Sequence, residues 1–184
     1  MKIILSLLLI SQSVFAQEIS KFNSCEEYIG DCDFYLCQEQ KNPCGPQGYN
    51  VGFGFKYCTK SKFELLNNMK TELGKSWVVN VFECLQKASQ EKTILSILND
   101  EVRSCDQIKS DAFDSHPDCY VDSGFCDLKF SEKINIFKLI KKEIFKSETR
   151  QQGRKLLHLC HLEKVEKEQL ELELNTETNT KDLL

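Results

Sequence analysis

Ten cysteines, at positions 25, 32, 37, 44, 58, 84, 105, 119, 126 and 160, are the residues of this 184-residue chain whose type most clearly promises chemistry. A cysteine sulfur serves as nucleophile, zinc ligand or half of a disulfide, and spacing and compartment separate these uses. A structural zinc site needs close pairs such as Cys-x-x-Cys followed by a second pair, and no Cys-x-x-Cys occurs. His158-Leu159-Cys160-His161 is the densest run of soft ligands, but it has no partner pair and reads as helix surface around one bridged sulfur. There are three histidines, with no Gly-x-Ser-x-Gly, His-Glu-x-x-His or His-Asp run, so no catalytic residue and no cofactor is expected. Asp31-Cys32-Asp33 opens like a calcium loop, yet its sixth position is Leu36, where glycine is needed, and its twelfth is Asn42. Those acids read as helix surface. Gly52-Phe53-Gly54 lacks the preceding strand and the following Lys-Ser/Thr of a phosphate loop and reads as a tight turn.

Disulfides need an oxidising compartment, and the first sixteen residues point to one. Lys2 gives a positive start, Ile3 to Ile10 is apolar apart from Ser6, and Val14-Phe15-Ala16 suits signal-peptidase cleavage after Ala16. The run is too short for the roughly 20 helical residues that a bilayer core takes. Residues 1–16 are therefore expected to be a signal peptide, and the mature chain to be secreted and extracellular, with no membrane insertion. Every cysteine falls in that mature part, and an even count there argues for a disulfide framework. Ten cysteines allow on the order of a thousand pairings, and sequence spacing alone does not choose among them. Cleavage removes Lys2 and shifts the net charge from −4 to −5. With no long basic run, a nucleic-acid partner is excluded as an expectation.

The elements that must position the sulfurs read as helices almost throughout. Ser24-Cys25-Glu26-Glu27 has the form of a capping box, and Cys25, Tyr28, Ile29, Cys32 and Leu36 then fall on one helical stripe that Gly30 interrupts. Residues 42–57 hold two of the three prolines and four of the eight glycines, which predicts a loop. Ser61-Lys62-Phe63-Glu64 reads as a second capping box opening a helix that Gly74 ends, and Ser76 as the start of the next. In that next helix Val78, Val81, Phe82, Leu85 and Ala88 form an apolar stripe beside Cys84. Ile94, Ile97, Leu98, Val102 and Cys105 continue the pattern and read as core. Asp114 to Asp122, with His116-Pro117, reads as a bend, Ser131 to Phe145 as an amphipathic helix, and about Thr149 to Leu174 as a long, increasingly charged one. The expected fold class is all-α: a compact helical domain over 17–174, cross-linked by five disulfides, with 175–184 a disordered tail.

The cysteine order resembles that of the stanniocalcins, secreted hormones associated with calcium and phosphate homeostasis. The likeness lies in thirteen residues between Cys105 and Cys119, six between Cys119 and Cys126, and thirty-three between Cys126 and Cys160 within Leu156-Leu157-His158-Leu159-Cys160. In the first half it lies in a glycine shortly before Cys32, four residues between Cys32 and Cys37, and the fourth and fifth cysteines at Cys44 and Cys58. It covers Cys25 to about Leu162 and rests on cysteine order, with little identity between. Two features depart from the family pattern. The loops from Cys44 to Cys58 and from Cys84 to Cys105 are longer, and no Asn-x-Ser/Thr acceptor lies between Cys37 and Cys44; Asn23-Ser24-Cys25 is only the rare Asn-x-Cys form.

The resemblance implies the pairs Cys25 with Cys37, Cys32 with Cys58, Cys44 with Cys105, Cys84 with Cys119, and Cys126 with Cys160. Given the first pair, an unbroken helix would hold its Cα atoms about 18 Å apart, beyond the roughly 7 Å that a disulfide tolerates. A turn at Gly30-Asp31 between two short helices is therefore expected. The resemblance further implies a non-enzymatic, hormone-like protein acting through an extracellular receptor, or alternatively an inhibitor of an extracellular metalloproteinase. The covalent dimers of that family use an eleventh cysteine beyond the tenth, and no cysteine follows Cys160 here. A monomer or a non-covalent homodimer is expected. Leu159, Leu162 and Val165 recur three apart on the last helix, but Glu163, Glu166 and Lys167 interrupt a heptad, which favours a solvated helix.

Overall fold

A computed structural model describes residues 23–143 and 146–181; the expected signal segment lies outside them, as does the side chain of Ser24. Among the described residues the chain is helix and turn with no strand. It enters through a 3₁₀ helix, Asn23–Tyr28, and turns into α1, Asp33–Lys41. Gly30, at φ = +91°, takes the left-handed conformation of that turn, which strains any residue with a Cβ. The expected hairpin forms, although its first arm is 3₁₀. Gln86 clasps it: its Oε1 accepts from the Gly30 N–H at 2.6 Å, and its Nε2 donates to the Asp31 carbonyl at 2.7 Å. The Asp31 carboxylate accepts from the Asp33 N–H at 3.1 Å and pairs with Lys62 at 3.2 Å.

The loop expected over 42–57 ends early. From Asn50 the chain is helical as far as Asn68, through a π-helical turn Asn50–Phe55, α2 (Lys56–Lys60), a second π-helical turn Ser61–Leu65 and α3 (Leu66–Asn68). Gly52-Phe53-Gly54 is thus helical, not a tight turn. A Cβ on Gly54 would overlap the Tyr35 ring, so glycine is what lets this segment lie against α1. Ser61 caps nothing; it is buried in mid-run. The helix breaks instead at Met69, whose backbone is extended, and Thr71 caps α4 (Glu72–Leu98) by accepting from the Gly74 N–H at 2.9 Å. Gly74 therefore opens a helix where the sequence suggested an end, and Ser76 lies within it. The reason is tertiary: the Glu132 carboxylate sits where a Gly74 side chain would go.

Helix α4 organises the molecule. Trp77, Val78, Val81 and Leu85 join Leu65, Met69, Phe125, Leu128, Ile136 and Leu156 in one core. A second core gathers Phe34, Tyr35, Tyr49, Ile108, Ala112 and Phe113 around Cys25, Cys32 and Cys58. Farther along α4, Gln90 Oε1 accepts from Gln38 Nε2 at 2.7 Å and the Thr93 hydroxyl donates to Gln38 Oε1 at 3.2 Å, so a buried polar seam docks α1. α4 ends in a Schellman turn, with the Glu101 N–H bonded to the Ser96 carbonyl at 2.7 Å and the Asp100 N–H to that of Ile97 at 3.1 Å. Asp100 occupies the left-handed position at φ = +56°. Asp100→Gly is expected to raise stability by roughly 1 kcal/mol, a gain visible as a higher urea midpoint at unchanged slope.

Ser104 and Gln107 form a capping box at the start of α5 (Cys105–Asp122). The bend expected over 114–122 is absent. Pro117 lies inside α5 and removes one N–H, yet its ring is buried, and the helix continues with the Ser115 hydroxyl and the His116 ring both on the Ala112 carbonyl. α6 (Phe130–Leu139) stops short of the expected Phe145; residues 140–143 turn, and 144–145 lie outside the description. α7 (Ser147–Lys181) begins earlier and runs on through 175–181, where a frayed tail was expected. Only 182–184 of that tail fall outside the description. Lys167 pairs with Asp127 at 3.0 Å and Glu163 at 2.8 Å, while Leu170 and Leu172 beyond it are exposed.

The five disulfides are Cys25–Cys37, Cys32–Cys58, Cys44–Cys105, Cys84–Cys119 and Cys126–Cys160, with Cα separations of 5.3 to 5.7 Å. These are the pairs that the resemblance implied. Together they tie the entry hairpin to α2, the loop after α1 to α5, α4 to α5, and the segment before α6 to α7.

Candidate functional site

The residues singled out for chemistry are dispersed. Bridging occupies all ten sulfurs, including Cys160, so the run at His158-Leu159-Cys160-His161 offers no thiolate, and both its histidines are exposed on α7. Among the described residues no three His, Cys, Asp or Glu side chains gather as a metal would require. No helix there is long and apolar enough to cross a membrane.

Two places remain in which the fold holds side chains in an arrangement of its own. One is the corner between α4 and α5. Ile97, Leu98 and Val102 of the stripe expected in the core are exposed, Leu98 by 68% and Val102 by 95%, and so is Leu95 beside them. The Schellman turn ends α4 before that stripe can meet a neighbour. Below it the corner is rigid: Arg103 pairs with Asp111 at 2.8 Å and reaches the Thr93 hydroxyl at 3.4 Å, while Cys105, next in the chain after the Ser104 cap, is bridged to Cys44.

The other is a hollow between the two cores, about 60 Å³ in volume, which Tyr35, Tyr49, Trp77, His116, Tyr120 and Gln152 help to line. Tyr35 is brought there by the close approach at Gly54. His116 and Tyr120 stand one turn apart on α5, ring on ring at 5.8 Å, and Phe113 stacks on His116 at 5.5 Å. Trp77 meets Tyr120 edge to face at 5.2 Å and donates its indole N–H to the Tyr120 carbonyl at 3.2 Å. His116 Nδ1 lies 2.6 Å from the Ala112 carbonyl. A carbonyl only accepts, so Nδ1 carries the proton and Nε2 is left as an acceptor. Burial pushes the imidazole pKa down to about 4, against a smaller opposing effect of that bond, so the ring is neutral at pH 7. Burial likewise lifts the Tyr120 phenol to about 12 and raises Tyr35 and Tyr49 further, each also feeling the charge that neighbouring phenols would carry. The hollow thus presents neutral polar groups. The hydroxyls of Tyr35, Tyr49 and Tyr120 make no hydrogen bond to a described residue, and the buried Gln152 amide nitrogen has no partner among them.

A second hollow of about 170 Å³ adjoins the first, sharing His116, Tyr120, Ile136, Ile140, Thr149 and Gln152, and continues between Phe125, Phe137, Gly153 and Leu156. At the rim of the first, Tyr57 donates to the Glu143 carboxylate at 2.7 Å and Lys146 pairs with the same group. Nothing in the sequence marks these aromatic side chains as one set, because they come from separate helices; the only local signal is the i, i+4 pair His116 and Tyr120.

No family model, curated protein or solved structure matches this chain.

Proposed function

We propose that the protein is a secreted, non-enzymatic, hormone-like molecule of stanniocalcin type, acting on calcium or phosphate balance through non-covalent recognition of an extracellular receptor. The observation that carries this reading is the corner of Leu95, Leu98 and Val102: apolar, exposed, and anchored by a disulfide and a buried Arg103. Apolar side chains held out on a pre-ordered support lose little freedom on docking, which is how a small patch supplies much of a binding energy. The bridges add that rigidity and leave no thiol for covalent capture of a partner.

The test is capture of extracellular proteins by the mature chain, 17–184, beside a Leu98→Asp/Val102→Asp variant. Both side chains are exposed, so the variant is expected to melt at the same temperature and to lose about tenfold or more of the binding. Equal capture by the two proteins would contradict the assignment of the surface. Recovery of a metalloproteinase in place of a membrane receptor would replace the hormone reading with that of an inhibitor.

A further inference from the structure

We propose that the paired hollow between α1, α4, α5, α6 and α7 is a binding site for a small uncharged ring compound bearing one hydroxyl, of the phenol class. The outer hollow, walled by Ile136, Ile140, Phe125, Phe137 and Leu156, has the volume in which an apolar cavity of roughly 150 Å³ holds a benzene ring. The inner hollow is too small for a ring but takes a polar substituent. There the hydroxyls of Tyr35, Tyr49 and Tyr120 and His116 Nε2 can donate and accept, as a hydroxyl requires. Tyr35 is 1% and Tyr49 6% exposed, and phenols so buried normally have partners. An ionised ligand is disfavoured in the inner hollow because its groups are neutral and the one carboxylate at the rim, Glu143, is already engaged by Tyr57 and Lys146. The one charged side chain that lines the outer hollow, Arg150, is exposed to solvent. This site is independent of the corner and of whatever protein docks there.

The chain carries its own reporter, since Trp77 is its only tryptophan and lines the inner hollow. p-Cresol titrated into the mature protein is expected to bind saturably at one site and to shift the single indole N–H resonance. Toluene, the same ring without the hydroxyl, is expected to bind about tenfold more weakly or worse. Gly153 lines the outer hollow, and a side chain added there meets nothing within 4 Å. Gly153→Leu should therefore fold, gain helix propensity, and weaken p-cresol binding by about tenfold or more. Tyr120→Phe keeps the ring and removes one hydroxyl; it should weaken p-cresol and leave toluene unchanged. The proposal is overturned by absence of saturable p-cresol binding, by an unmoved Trp77 resonance, by toluene binding as tightly, or by full affinity in both variants.

Discussion

Replacing Cys32 and Cys58 together by alanine is expected to lower stability by roughly 3 to 5 kcal/mol. Their bridge closes a loop of 26 residues in sequence separation, whose release alone gives the unfolded chain about 3.5 kcal/mol of conformational freedom. Both residues are also buried in the aromatic core beside Phe34 and Tyr35, so two alanines leave space that the rigid rings fill poorly. At the size of this chain the loss corresponds to a fall in melting temperature of roughly 8 to 15 °C. Thermal unfolding of the double variant followed by circular dichroism checks it, and an unchanged melting temperature would mean that non-covalent packing already holds the hairpin against α2.

The second large effect belongs to Glu132. This carboxylate is 0% exposed, and it accepts from the Lys70 N–H at 3.0 Å, the Thr71 N–H at 2.9 Å, the Thr71 hydroxyl at 2.9 Å and the Lys129 N–H at 3.3 Å. It thereby joins the start of α6 to the break before α4. Burial raises its pKa, but the bonds from Thr71, Lys70 and Lys129 together outweigh burial and hold the group below its ordinary value. Glu132→Ala strands those donors in an enclosed place and is expected to cost roughly 3 kcal/mol. A depressed folded-state pKa also fixes the pH dependence. The stabilisation is complete above the unfolded-state value near 4.5 and is lost as pH falls through the lower folded-state value. Glu132→Gln, whose amide turns one donor towards other donors, should be less stable at pH 7 and lose part of that acid sensitivity. Urea midpoints at pH 7 and below pH 4 compare the two proteins.

What the sequence could disclose depended on whether the signal was local or shared between elements. The helical content was legible from periodicity. The arrangement of bridges was not legible from spacing and entered only through the resemblance in cysteine order. The turn at Gly30 followed once Cys25 was paired with Cys37, because disulfide reach excludes a continuous helix between them. Helix boundaries were not. Ser61-Lys62-Phe63-Glu64 and Ser104-Cys105-Asp106-Gln107 both fit a capping pattern, but only the second caps, since burial of Ser61 within a continuous helical run overrides its local preference. Gly74 looked like a stop and proved to be the space that Glu132 occupies. Pro117 looked like a break and is packed into a helix. Leu98 and Val102 looked like core because periodicity does not reveal where a helix ends, and a Schellman turn built on aspartate carries no glycine to announce it. The hollow was invisible for a different reason: its tyrosines, histidine and glutamine belong to helices that meet only after folding, as do Gln86 and Gln38 in the seam that docks α1.

All ten sulfurs are closed on one another, and the proposed function requires that this hold in a secreted chain that recognises its partner without a covalent bond. The intact mass of the protein recovered from the medium of secreting cells, denatured without reductant in the presence of an alkylating agent, tests this most directly. A single chain beginning at Gln17, carrying no alkyl group and ten hydrogens lighter than its reduced form, is the predicted result. Two or more alkyl groups per chain, or a mass of two chains that reductant collapses to one, would contradict it.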